Sequence, residues 1–191
     1  MIFFILCILF IKIYKIREKK GLKLLSPLDN KVRPTTDKIK ESIFNILFDI
    51  DDNSLVLDLF CGSGAIGIEF LSRGAKMVYF CDISEQSVNI TKKNLQNCEF
   101  NDNYIIINKD FIDCLNYFYN NDLKFDYIFL DPPYKFEYIE ETLKFIYNKN
   151  ILNTDGIIII ETDKDISIEN FSIIKEKKYS KIRVLFLERK R

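Results

Sequence analysis

Beyond residue 35 the chain alternates between short, uniformly apolar runs and longer stretches with apolar residues at helical spacing. In "DKIKESIFNILFDI" (37–50), Ile39, Ile43, Phe44, Ile46 and Leu47 recur every three or four positions, which predicts an amphipathic helix with Asp37 as its N-cap. "SLVLDLF" (54–60) reads as a short strand, and "GAIGIEFLSRG" (64–74) as a helix stopped by Gly74. "MVYFCD" (77–82) is a second strand, followed by the helical "SEQSVNITKKNLQN" (84–97), for which Ser84 is the expected cap. "YIIIN" (104–108) and "FDYIFLD" (125–131) are a third and a fourth strand, separated by the helical "FIDCLNYFYN" (111–120). The helix "YIEETLKFIYNKNI" (138–151) leads to a fifth strand, "GIIIIET" (156–162). In "FSIIKEKKYSKIRVLFLERK" (171–190) two β-like runs flank a polar turn, the pattern of a hairpin.

Strands that are apolar throughout and alternate with helices predict an α/β fold: a mostly parallel sheet covered by helices on both faces. Ligands of such sheets bind at the carboxyl ends of the strands, near the point where strand order reverses. The chain shows no internal repeat, low-complexity tract or Gly/Ser-rich linker, and its clearest boundary lies near residue 33, where a basic leader meets "RPTTD".

A length of 191 residues suits one domain with a small appendage, and 48% apolar with 29% charged residues suits an ordinary core and surface. His is absent, which excludes imidazole bases, His-containing triads and most zinc sites. The five cysteines, at 7, 61, 81, 98 and 114, form no C-x-x-C pair, so they read as small buried fillers in a reducing, cytoplasmic setting, not as ligands or bridges.

Net charge is zero, but its distribution is uneven. Residues 12–40 carry ten Lys/Arg against three acids, and residues 175–191 carry eight against two. Together these segments hold a net +13, so the remainder sums to −13. Basic flanks on an acidic body suggest a polyanion held from one side. The uniformly apolar residues 1–11, "MIFFILCILFI", are too short to span a bilayer and lack the charged start and cleavage site of a signal peptide. They remain open to three readings: a membrane-adhering anchor, an extra buried strand, or an extension from a misassigned start.

The chemistry gathers at strand ends. The first strand runs into "LDLFCGSGAIG" (57–67), where Gly62 and Gly64 allow a tight turn beneath a ligand and the next helix offers its N-terminal amides. Gly62, Gly64 and Gly67 match the dinucleotide G-x-G-x-x-G, with Asp82 at the end of the second strand, so an NAD(P)-binding oxidoreductase is one reading. Against it, Asp58 places an acid where a pyrophosphate would be repelled. S-adenosylmethionine, which has no phosphate and carries a sulfonium and an ammonium, suits that position better. Asp82 would then take the ribose hydroxyls, Asp110 the adenine amino group, and Phe111 the adenine ring; Phe60 and Ile83, beside these residues, belong to the same cofactor-binding set. The fourth strand ends in "LDPPYKF" (130–136), where Pro132 and Pro133 stop the ladder and leave Asp131 at the carboxyl end.

D-x-F-x-G-x-G, an acid after each of the next two strands and then D-P-P-Y resemble the class I methyltransferases that act on amino nitrogens, over residues 55–162. That resemblance implies a Rossmann-like, seven-stranded, mostly parallel sheet with a C-terminal antiparallel hairpin. It also implies that Asp131 and the Pro132 carbonyl hold an exocyclic amine by its hydrogens, that Pro133 stiffens the elbow, and that Tyr134 stacks on the base. "RPTTDKIKESIFNIL" (33–47) with "LDLFCGSGAIGIEFLSRGA" and "DPPY" further resembles the bacterial 16S ribosomal RNA guanine-N2 methyltransferases, over roughly residues 20–190.

The closer resemblance implies methyl transfer to N2 of a guanine in small-subunit rRNA, free or in an assembling 30S particle, by a monomer without metal. Arg33, Thr35, Thr36 and Glu41 would help close the cofactor and substrate pocket. The leader (12–32), with Lys15, Arg17, Lys19 and Lys20, would be an RNA-contacting β-hairpin ahead of the methyltransferase domain (33–191). The family's paired glycines are replaced there by Ile16 and Arg17. Adenine-N6 or protein glutamine methylation would use the same D-P-P-Y, and a non-catalytic RNA-binding assembly factor would retain the same fold.

Overall fold

A computed structural model describes residues 24–26, 37–132 and 136–190. The apolar segment 1–11, Lys15, Arg17, Lys19, Lys20, Arg33, Thr35, Thr36, Pro133 and Tyr134 lie outside the described residues. The helices are α1 (Asp37–Leu47), α2 (Ala65–Ser72), α3 (Glu85–Asn97), α4 (Phe111–Asn120) and α5 (Phe136–Lys149). The strands are β1 (Leu55–Asp58), β2 (Met77–Cys81), β3 (Tyr104–Ile107), β4 (Phe125–Leu130), β5 (Leu152–Thr162), β6 (Phe171–Tyr179) and β7 (Ile182–Arg189).

All seven strands form one sheet, ordered β3-β2-β1-β4-β5-β7-β6. The first five pair in parallel, whereas β7 runs antiparallel between β5 and β6. The hairpin read at the C-terminus is therefore present, and its second strand is the one inserted against the parallel sheet. The order reverses between β1 and β4, which puts their carboxyl ends at the switch point.

Side-chain alternation divides the core into two layers. Leu57, Ile128, Leu130, Ile158, Ile160, Leu185 and Leu187 face α4 and α5, whose Phe111, Leu115, Phe118, Ile139 and Leu143 cover them. Val56, Val78, Phe80, Phe129, Ile159, Val184 and Phe186 face the other way, under α1, α2 and α3. Both faces of the parallel strands are buried, which is why these strands read as continuous apolar runs instead of alternating ones.

Local signals behave as physics requires, with two differences. Ser84 caps α3 by accepting the Ser87 N–H at 3.3 Å. Gly74, at φ 98°, ends α2: its N–H reaches the Leu71 carbonyl and the Ala75 N–H the Phe70 carbonyl, satisfying the helix's last acceptors. Asp37 is the first residue of α1, not its cap; from the first turn its charge still complements the helix dipole. Strand β5 begins at Leu152, four residues before the "GIIIIET" run, with a register shift between Phe125 and Tyr127 on its partner. Among the described residues, Cys61, Cys81, Cys98 and Cys114 are buried and outside any disulfide, as fillers should be.

Candidate active site

The turn after β1 is built by two glycines in left-handed backbone, Gly62 at φ 54° and Gly64 at φ 76°. A side chain at Gly62 would meet nothing within 4 Å, so the turn opens on one side into space that a ligand can fill. Beneath Gly64, Thr91 closes the other side and donates to the Gly62 carbonyl at 3.1 Å. Asn94, fully buried in α3, donates to the Ser63 carbonyl at 2.8 Å. The same amide brackets Leu25, accepting its N–H at 2.8 Å and donating to its carbonyl at 2.9 Å. Asn94 thus ties Leu25, within the leader, to the glycine turn. Sequence reading passed over Thr91 and Asn94, because a polar residue on an amphipathic helix ordinarily faces water.

Asp58, the last residue of β1, is 1% exposed and accepts the Gly67 N–H at 3.0 Å. Burial pushes its carboxyl up to about 7; the Gly67 bond opposes that rise and the nearby Asp82 adds to it. At the end of β2, Asp82 accepts the Gly62 N–H at 2.9 Å with one oxygen and the Ser84 N–H at 2.8 Å with the other. A carboxylate offers about four lone-pair sites, so two bonds leave capacity for ligand hydroxyls. Ile83 beside it is 71% exposed, an apolar side chain held out next to the cleft. Asp110 caps α4 through the Ile112 N–H at 2.9 Å. Phe111 is only 7% exposed; its ring sits 5.7 Å from Phe60 and 4.8 Å from Tyr138, so the half-buried Phe60 presents more surface at this edge.

Asp131 follows β4 directly and is partly exposed, with Pro132 behind it. Asp58 stands level with Phe129 across the β1–β4 pairing, and Leu130 level with Ile160 across β4–β5. Asp131 and Glu161 are therefore next in line on adjacent strands, beside Asp58. Burial, then the charges of Glu161 and Asp58, push the Asp131 carboxyl well above the usual carboxylate range. Glu161, 9% exposed, read in the sequence as the tail of an apolar strand and gave no signal. The structure brings Asp58, Asp82, Asp110 and Asp131 to one edge of the sheet, and Glu41 is an exposed residue of α1.

Carboxylates that raise one another's pKa are stabilised by a cation among them. The open side of Gly62, the exposed Ile83 and this acidic floor accordingly fit a ligand with an apolar ring, hydroxyls and positive charge, and fit a pyrophosphate poorly.

Strand order, helices on both faces and an acidic cleft at the β1–β4 switch define a class I methyltransferase fold. The solved Escherichia coli protein yhhF is 25% identical, with a TM-score of 0.75 over 89% of this chain and 93% of that one. An RNA methyltransferase from Salinibacter ruber, solved with S-adenosyl-L-homocysteine, is 14% identical and shares the fold at a TM-score of 0.63, covering 81% and 92%. The family model "Conserved hypothetical protein 95" matches residues 16–188, and the chain belongs to that family. Its curated relatives include ribosomal RNA small subunit methyltransferase D of Haemophilus influenzae, 38% identical over 83% of each chain. The Buchnera aphidicola protein of the same name (from Acyrthosiphon pisum) is 34% identical over 87% of each. The family resemblance carried by "RPTTD", the glycine turn and "DPPY" is thus borne out. Among the described residues, no helix is long and apolar enough to cross a membrane.

Proposed function

We propose that this protein transfers a methyl group from S-adenosylmethionine to the exocyclic N2 of a guanine in small-subunit ribosomal RNA. The observation that carries the reading is Asp131 at the end of β4, on the strand paired with the one that leads into the glycine turn, where the charge of Asp58 reaches it. Relatives named as small-subunit rRNA methyltransferases, matched over more than four-fifths of the chain, supply the substrate class.

S-adenosylmethionine supplies an electrophilic methyl on a sulfonium. Asp82 takes the ribose hydroxyls with its remaining lone pairs, Asp110 the adenine amino group, and Phe60, Ile83 and Phe111 the adenine ring. Asp58 supplies counter-charge from beneath the turn; its burial makes that influence act through the loop or water. Thr36, Glu41 and Arg33 close the pocket from α1 and the segment before it.

On the substrate side, a guanine amine is a poor nucleophile because its lone pair is delocalised into the ring. Asp131 and the Pro132 carbonyl accept its hydrogens, which favours a pyramidal nitrogen and disperses the charge that develops there. Tyr134 stacks on the base, held by Pro133, once the base has left its helical stack. Lys15, Arg17, Lys19 and Lys20 of the leader hold the RNA backbone. None of these steps calls for imidazole, in keeping with a chain that has no His.

The test is incubation with methyl-labelled cofactor and 30S particles, or free rRNA, from a strain lacking the enzyme, followed by digestion to nucleosides. Label in N2-methylguanosine is the expected result. Label in N6-methyladenosine, or in protein, would overturn the assignment.

A further inference from the structure

Helix α1, which carries Lys38, and the lysine-rich β6–β7 hairpin are far apart in sequence and meet in the fold. Strand β7 runs antiparallel to β5, with Thr162 opposite Arg183, so the β6–β7 turn projects beyond the carboxyl end of β5. Asp131 lies at that same edge. Tyr179, at the end of β6, is hydrogen-bonded through its hydroxyl to Ser42 of α1.

Helix α1 points its first turn toward the same edge. Its Phe44 ring packs 4.8 Å from Phe70 and under the Arg73 guanidinium, by the end of α2 that leads back to the start of β2. Lys38 lies one helical turn before Ser42, on the side of α1 that meets Tyr179. Lys177 stands opposite Val184, which faces the α1 layer, so Lys177 shares that face; Lys178, opposite Arg183, lies on the other. Lys38, Lys177 and Lys181 are exposed, and among the described residues none is paired with a carboxylate, whereas Lys40 and Lys178 are, with Asp37 and Glu176.

We propose that Lys38, Lys177 and Lys181 form a cationic rim that binds the phosphate backbone of the RNA beside the Asp131 cleft, an inference that rests on the reading of the substrate as rRNA. Strands β7 and β6 are the second and third from β4, so at about 4.8 Å per strand the turn stands roughly 10–15 Å to the side of Asp131. A long lysine side chain there reaches the nucleotides that flank a base extruded into the cleft. The chemistry also requires such a division. The cleft is lined by carboxylates and repels phosphate, so a polyanion must be gripped outside it while only the neutral base enters.

The experiment measures binding of a labelled small-subunit rRNA fragment across a salt series. The variants are Lys38→Gln, Lys177→Gln and Lys181→Gln combined, and Lys178→Gln alone as the control on the opposite face. For the triple variant, affinity falls at least about tenfold, and the slope of log affinity against log salt becomes shallower by about 2, the loss of three single-strand phosphate contacts. Lys178→Gln stays within about twofold of wild type, and cofactor affinity and melting temperature stay unchanged in both. A triple variant with the wild-type slope overturns the rim, whatever base is methylated. Lysine-dependent RNA binding by a wild type that leaves guanine unmodified upholds the rim and overturns the proposed reaction instead.

Discussion

The Gly62 N–H donates to the Asp82 carboxylate at 2.9 Å, joining the turn after β1 to the end of β2 across twenty residues of chain. One side chain therefore shapes the floor of the cleft and offers its remaining lone pairs to a ligand. Asp82→Ala should weaken S-adenosylmethionine binding by about 1–3 kcal/mol, as for loss of hydrogen bonds to a charged acceptor. Calorimetry reads the affinity, and a thermal melt separates that loss from loosening of the turn. Asp82→Asn, which keeps one acceptor oxygen, should fall between the two. Unchanged affinity in the alanine variant would remove Asp82 from the site.

Asp58 makes stability depend on pH. Its carboxyl, near 3.8 in an unfolded chain, rises to about 7 in the fold, so the folded state holds its proton more tightly. This contribution is fully present below pH ~4 and is lost as pH rises to about 7, amounting to roughly 4 kcal/mol at most. Asp58→Asn keeps an oxygen for the Gly67 N–H and cannot ionise. Denaturant titrations from pH 4 to 8 should therefore show a flatter profile for the variant than for wild type. Parallel profiles would mean that Asp58 titrates normally.

Asp131→Ala should lower single-turnover methylation by about 100-fold or more, the scale for removing one preorganised electrostatic partner. RNA and cofactor affinities should change far less. Because Asp131 must be ionised to accept the amine hydrogens, wild-type turnover should fall as pH drops through a midpoint above the ordinary carboxylate range. If Asp131 only terminates a strand, the folded variant keeps its turnover and loses stability, which the melting curve would reveal.

Asn94→Leu should cost about 1–3 kcal/mol by stranding the Ser63 carbonyl and both backbone groups of Leu25. Since one amide serves both the leader and the glycine turn, cofactor affinity should fall together with melting temperature. A melt lowered with cofactor affinity intact would show that the turn holds its shape without Asn94.

Most of the architecture was legible in the chain because it is written in local and periodic terms. Apolar runs give buried parallel strands, three-to-four spacing gives the helices, and Gly62, Gly64, Gly74, Pro132 and Pro133 mark where backbone must turn or stop. The order of the motifs was enough to identify the family. Long-range relationships were not legible, because they depend on which strands lie side by side. Nothing local to "GIIIIET" announces that Glu161 will stand beside Asp131; that follows from the β4–β5 register. The pKa of Asp58 near 7 comes from tertiary burial and from Asp82, twenty-four residues away in the chain. Asn94 looked like a solvated helix position until the chain wrapped Leu25 and Ser63 around it. Helix α1 and the β6–β7 hairpin, 137 residues apart at Ser42 and Tyr179, came into contact only because β7 entered the sheet antiparallel and set the hairpin turn at the carboxyl edge.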